Sequence, residues 1–226
     1  FDTYTSELYE LASRLDQLKR PVIIYIGGAP GTGKSMLATS LATRLGINKV
    51  ISTDSIREIM RLAFSNDLLP TLFHSTTEAW KGLPMEFQSS EQLIAGYCLQ
   101  ANQVSLGVRA VVERTVEEGE NLIVEGVHLV PFLHEIAKKE MVDAYHIPIT
   151  LSIMNEKHHR ERFSERGTKN LRKIENFYLE RFDGIRSIHE YTLTQCETDE
   201  VEVFDNEDLD ETCLLYTSDA ADDVNG

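Results

Sequence analysis

The chain has 226 residues, 42% of them apolar and 26% charged, which suits one globular domain or a domain with a small insertion. Its formal charge of −15 is unevenly placed: residues 197–226 hold 12 of the 37 carboxylates and none of the 22 basic residues, so residues 1–196 carry only −3. A body this close to neutral argues against a nucleic-acid groove, and no apolar run approaches the roughly 18 residues that span a bilayer.

Cys98, Cys196 and Cys213 show no C-x-x-C spacing, so neither a disulfide framework nor a zinc site is indicated, and a soluble protein of a reducing cytoplasm is expected. The chain starts at Phe1 rather than Met, and the first residues are not a signal peptide. The segment CLLYTSDAADDV, at 213–224, reads as the translation of a sequencing-library adapter, so residues 213–226 are set aside as a non-native tail.

Leu8, Leu11, Ala12, Leu15 and Leu18 have helical spacing, which predicts a leading helix over 5–19 that ends before Pro21. Residues 1–20 are expected to be the end of a longer N-terminal region, and residues 21–212 the main domain. Val22 to Ile26 is apolar throughout, as a parallel strand covered on both faces would be. It runs into Gly28-Ala29-Pro30-Gly31-Thr32-Gly33-Lys34-Ser35, the P-loop pattern G-x-x-x-x-G-K-[ST] in its strand-then-helix setting. Triphosphate oxygens need several main-chain N–H groups converging on one point, which requires glycines where a Cβ would intrude. Lys34 reaches the β and γ phosphates, Ser35 can ligate Mg²⁺, and Met36 continues the helix that receives the phosphates at its N-terminus.

A second strand over 49–52 leads to Thr53-Asp54-Ser55-Ile56-Arg57-Glu58, in which Ser55 and Glu58 have the spacing of a capping box. Asp54 stands at a strand's carboxyl end, where open α/β sheets place ligands, and is the candidate for the group facing an acceptor hydroxyl. Its other reading is a helix N-cap or an outer-shell Mg²⁺ ligand. Arg57 and Arg61, at i and i+4, can hold an anionic substrate or form a solvated helix face.

Residues 66–85 read as loop with at most short helices, and 87–116 as a long helix that Gly96 or Gly107 could interrupt. The excursion 66–118 is the expected substrate-binding insertion. Asn121 to Glu125 is a third strand ending in a carboxylate placed to hold the Mg²⁺ hydration shell, and His128 either meets substrate or shapes the loop that follows. A helix over 131–139 comes next, then a fourth strand expected to start at Ile149 because of Pro148. The basic segment 156–173, with Arg162 and Arg166 on one helical face, reads as a lid over the phosphates. A single helix over 174–193 and a fifth strand over 201–204 complete an α/β fold: a five-stranded parallel sheet flanked by helices.

The segments GGAPGTGKS, VISTDSIREIMR, LIVEGVHLVP, HHRERFSERG and YLERFDGIRSIHEY, in this order, resemble the successive signatures of the 2-phosphoglycerate kinase family, a branch of the P-loop kinases. The resemblance runs from about Pro21 to Asn206 and implies transfer of the ATP γ-phosphoryl group to the free hydroxyl of 2-phosphoglycerate, giving 2,3-bisphosphoglycerate. It implies ATP and Mg²⁺ at Gly28 to Ser35, active-site roles for Asp54, Arg57 and Glu125, and lid roles for Arg162 and Arg166. Two other readings share parts of the pattern. A polynucleotide or other metabolite kinase would also use the P-loop, Asp54 and the arginines, whereas a non-catalytic ATP-binding module would need the P-loop alone.

Overall fold

A computed structural model describes residues 18–84, 89–133, 135, 143–165 and 172–206. Residues 5–17 of the expected leading helix, nearly all of the 131–139 helix beyond Leu133, and the 213–226 tail lie outside them. In chain order the elements are β1 (Val22–Gly28), α1 (Lys34–Leu45), β2 (Lys49–Ser52), α2 (Thr53–Ala63), two 3₁₀ helices (Pro70–Phe73 and Thr76–Gly82) and α3 (Ser89–Glu117). After these come β3 (Leu122–Glu125), a 3₁₀ helix (Val127–Phe132), β4 (Tyr145–Ser152), α4 (Glu156–Glu165), α5 (Arg172–Glu180), α6 (Phe182–Asp199) and β5 (Val203–Asp205).

All five strands are parallel, in the order β2-β3-β1-β4-β5. Every residue of β1 is buried because both faces of this central strand are covered. Ile23 and Tyr25 pack with Ile56 of α2, Val104, Val108 and Val112 of α3, and Cys196 of α6. Val22, Ile24 and Ile26 point the other way, onto Leu37, Leu41 and Leu45 of α1. The two-residue alternation of a strand thus divides one apolar run between two cores.

The register decides where the chemistry can sit. Glu125 of β3 is level with Ile26 of β1 on one side and Ser52 of β2 on the other. The P-loop, the Asp54 turn and Glu125 therefore leave the sheet together at its carboxyl edge.

Two local expectations, the start of β4 and the single helix over 174–193, are corrected, and the long helix over 87–116 is found. β4 begins at Tyr145, four residues before Ile149, and Pro148 pairs within it opposite Tyr25. The Ser152 carbonyl accepts from the Asn206 N–H on the β5 side, so strand alternation turns Pro148 toward that same side, where β5 pairs only with 150–152. The N–H that proline lacks costs no ladder bond there. The long helix α3 is unbroken. Gly96 and Gly107 are points of close approach: a Cβ at Gly96 would land on the Trp80 main chain, and one at Gly107 on Ile56. Finally, the helix expected over 174–193 is two helices, α5 and α6, that meet at Arg181.

Gly96→Ala tests the contact between α3 and the second 3₁₀ helix. Alanine is the better helix former by about 1 kcal/mol, yet overpacking against main chain costs about 1–3 kcal/mol or more. Urea denaturation should show a net loss of stability; an unchanged or raised midpoint would contradict the packing.

Candidate active site

The loop between β1 and α1 is shaped by what its carbonyls touch. Gly33 has φ 93°, the left-handed region, and a Cβ there would collide with the Asn206 side-chain amide. The Ala29 carbonyl accepts from Lys34 Nζ at 2.7 Å and from Thr32 Oγ1 at 3.0 Å. The Thr32 carbonyl accepts from Asn206 Nδ2 at 2.8 Å. His159 Nε2 lies 2.8 Å from the Pro30 carbonyl, which can only accept, so Nε2 carries the proton. His159 Nδ1 is then left to accept from Arg186 Nη1 at 3.3 Å. With these carbonyls held by side chains, the loop keeps one shape, as N–H groups converging on an anion require.

Beside the loop lies a cavity of about 480 Å³, lined by Pro30, Gly31, Gly33, Lys34 and Ser35 on one side. Asp54, Arg57 and Glu125 also line it, so the structure brings these three expected positions together with Lys34 and Ser35. Ser35 Oγ donates to Glu125 Oε1 at 3.2 Å. Burial pushes the Glu125 carboxyl up, opposed by the Lys34 ammonium and the Ser35 hydroxyl. No group of three or more His, Cys, Asp or Glu stands together as a metal site among the described residues. A hydroxyl beside one half-buried carboxylate does suit a hard cation that takes its other oxygens from phosphate and water, and Ser35 and Glu125 would hold it.

The turn after β2 places Asp54. Ser52, not Ser55, caps α2, its Oγ accepting from the Ser55 N–H at 3.1 Å, so the capping box expected from Ser55 and Glu58 does not form. Thr53 and Asp54 are the first two helical residues, and Asp54 is not the cap. Its carboxylate is 65% exposed and lies 3.7 Å from Arg57 Nε. Arg57 is anchored from behind, with Nη1 donating to the carbonyls of Leu72 and His74 and Nη2 bonded to Glu58 at 2.9 Å. Arg61 also bonds Glu58 and does not reach the cavity lining. The i, i+4 pair is therefore split: Arg57 faces the cavity and Arg61 the helix surface.

His128 is fully buried and lies beneath the site. Gln100 Nε2 donates to the Thr71 and His74 carbonyls, so its Oε1 accepts from His128 Nε2 at 3.1 Å. His128 Nδ1 then accepts from Thr53 Oγ1 at 2.9 Å. This relay ties the residue before Asp54 to the segment that anchors Arg57; it shapes the loop and gives His128 no place in the cavity lining. Burial lowers the His128 pKa to about 4, in keeping with the neutral tautomer that the bonds require.

Of the expected lid arginines, Arg162 of α4 donates to the Asn206 carbonyl and lies against Gly33. Arg166 lies outside the described residues. Met36 is exposed on α1, outside the cavity lining. The cavity also contains Ser75, Thr77, Phe177, Tyr178 and Arg181, which sequence reasoning did not single out. Arg181 reaches it because the chain breaks between α5 and α6, and the even apolar spacing from Phe177 to Ile188 gives no local sign of that break.

A family model described as "AAA domain" matches residues 24–183. The chain is 39% identical over 214 residues to a protein of Methanopyrus kandleri named 2-phosphoglycerate kinase, covering 93% of this chain and 64% of that protein. It is 41% identical to one of the same name from Pyrococcus furiosus, covering 91% and 66%, and 37% identical to one from Methanococcus vannielii, covering 92% and 67%. The chain thus spans about two thirds of the length of the relatives it matches. No helix among the described residues is long and apolar enough to cross a membrane.

Burial lowers the pKa values of His128, His159 and His189 to about 4, from an ordinary 6.5. The folded pKa lies below the unfolded one, so as pH falls the unfolded chain takes up protons first. The histidine contribution is full above pH 6.5 and shrinks as pH drops toward 4. Urea midpoints measured at pH 7.5, 6 and 5 should fall across that window, and His189→Gln should flatten the slope. A midpoint independent of pH would contradict the buried neutral imidazoles.

Proposed function

Because this chain belongs to the 2-phosphoglycerate kinase family, we propose that it is an ATP-dependent, Mg²⁺-requiring kinase that phosphorylates the free hydroxyl of 2-phosphoglycerate or a similar phosphorylated hydroxy acid. The observation that carries this reading is one cavity lined by the P-loop, Asp54, Glu125 and the half-buried Arg57.

The main-chain amides of Gly31 to Ser35 and the Lys34 ammonium hold the phosphates of ATP. Asp54 accepts the proton of the acceptor hydroxyl; its carboxylate is exposed and the residue lines the cavity, which supports this role. Arg57 holds the acceptor's negative charge while remaining tied to the Leu72 and His74 carbonyls. Ser35 and Glu125 would hold Mg²⁺, which would neutralise triphosphate charge. Arg162, against Gly33, closes over the phosphates and excludes water.

With ATP, Mg²⁺ and 2-phosphoglycerate the protein should release ADP in step with formation of 2,3-bisphosphoglycerate. Lys34→Met and Asp54→Asn should each lower turnover by about 10²–10⁴-fold. ADP release at the same rate with and without acceptor would contradict a kinase, as would an Asp54→Asn variant of unchanged turnover.

A further inference from the structure

We propose that Arg181 is the second arginine of the acceptor site, and that with Arg57 it clamps an oxyanion of the acceptor, its phosphate or its carboxylate. This rests on the kinase reading above and extends it to a residue of the YLERFDGIRSIHEY segment to which the sequence reading gives no site role.

The two arginines share a construction. Arg57 spends Nη1 on two main-chain carbonyls and Nη2 on Glu58. Arg181 spends Nη1 on the Phe177 carbonyl at 3.2 Å and Nη2 on Glu78 at 3.2 Å, and its guanidinium lies 3.9 Å over the Phe177 ring. Both are thereby held in one orientation by protein groups. In both, Nε makes no hydrogen bond, that of Arg57 lying 3.7 Å from the Asp54 carboxylate, and both residues line the same cavity. Two guanidinium groups fixed at one cavity, each with donor capacity that the protein does not use, suit an anionic guest.

Position agrees. The Glu78 carboxylate is shared between Arg181 and Lys81, which bonds it at 2.6 Å, while Glu180 lies 3.7 Å from Arg181 Nη1. Arg57 and Arg181 are held by one strap: Arg57 binds the carbonyls of Leu72 and His74, and Arg181 binds Glu78, four residues further on. The hydroxyls of Ser75 and Thr77 lie between these anchor points and line the cavity. Fork-shaped guanidinium donors on a short hydroxyl-bearing strap suit a tetrahedral or planar oxyanion and reject a neutral alcohol. Because the strap also bonds the Gln100–His128–Thr53 relay, the clamp is fixed relative to Asp54.

The test is calorimetric titration of the full chain and of Arg181→Gln with 2-phosphoglycerate, glycerate and ATP separately. Arg181→Gln should bind 2-phosphoglycerate at least tenfold more weakly, with ATP affinity within twofold of the original. Arg181→Lys keeps the charge but lacks the Nε donor and the fork, and should show a smaller loss in the same direction. A loss confined to 2-phosphoglycerate assigns the clamp to the phosphate, and an equal loss for glycerate assigns it to the carboxylate. Unchanged 2-phosphoglycerate affinity in both variants, an ATP loss as large as the acceptor loss, or no binding of 2-phosphoglycerate by the original chain would overturn the proposal. A chain that binds 2-phosphoglycerate through Arg181 yet fails to phosphorylate it would refute the kinase reading and leave the clamp standing.

Discussion

Three carbonyls of one loop are each held by a side chain: Ala29 by Lys34, Pro30 by His159 and Thr32 by Asn206. The donors come from the helix the loop opens, from α4, and from the residue just after β5. A loop whose carbonyls are bound keeps one shape, and a fixed set of convergent amides is what a triphosphate needs. Each bond contributes only about 0.5–1.5 kcal/mol, but together they fix the loop from sides that the strand and helix alone leave open. His159 can serve only when neutral, because its second nitrogen must accept from Arg186. The depressed pKa that burial gives His159 is therefore a condition of the loop's shape.

The acceptor side of the cavity is built in a similar way. His128, buried and neutral, joins Thr53 to Gln100, and Gln100 holds the strap that anchors Arg57. Each half of the site thus has a buried histidine that orders main chain without lining the cavity. The sheet sets the distance between the halves, since Glu125 is level with both Ile26 and Ser52. β3 inserted between β1 and β2 is what leaves a cavity of about 480 Å³ between loop and aspartate.

What could be read from the sequence was local or tied to strand ends. The P-loop, Asp54 and Glu125 each sit in a short motif whose setting follows from apolar periodicity, and each lines the cavity. What could not be read depends on distant partners. Arg61 looked like the companion of Arg57 because i and i+4 share a helical face, but Glu58 takes Arg61, and the arginine sharing the cavity with Arg57 is Arg181, beyond a helix break without a local signal. His128 follows a strand tip, a place for contact with ligand, yet Gln100 and Thr53 satisfy it inside the protein. Gly96 and Pro148 looked like breaks in regular structure. Their meaning comes from neighbours: the Trp80 main chain pressed against Gly96, and a strand edge that β5 does not reach at Pro148.

The central claim is geometric: a phosphoryl group held over Lys34 and an acceptor hydroxyl at Asp54 meet in one cavity. A crystal structure of the chain with a non-hydrolysable ATP analogue and 2-phosphoglycerate tests it most directly. The account predicts the triphosphate within the 28–35 loop and the acceptor hydroxyl at roughly 2.6–3.2 Å from the Asp54 carboxylate, in line with the γ-phosphorus. An acceptor bound away from Asp54, or a triphosphate outside the loop, would contradict it.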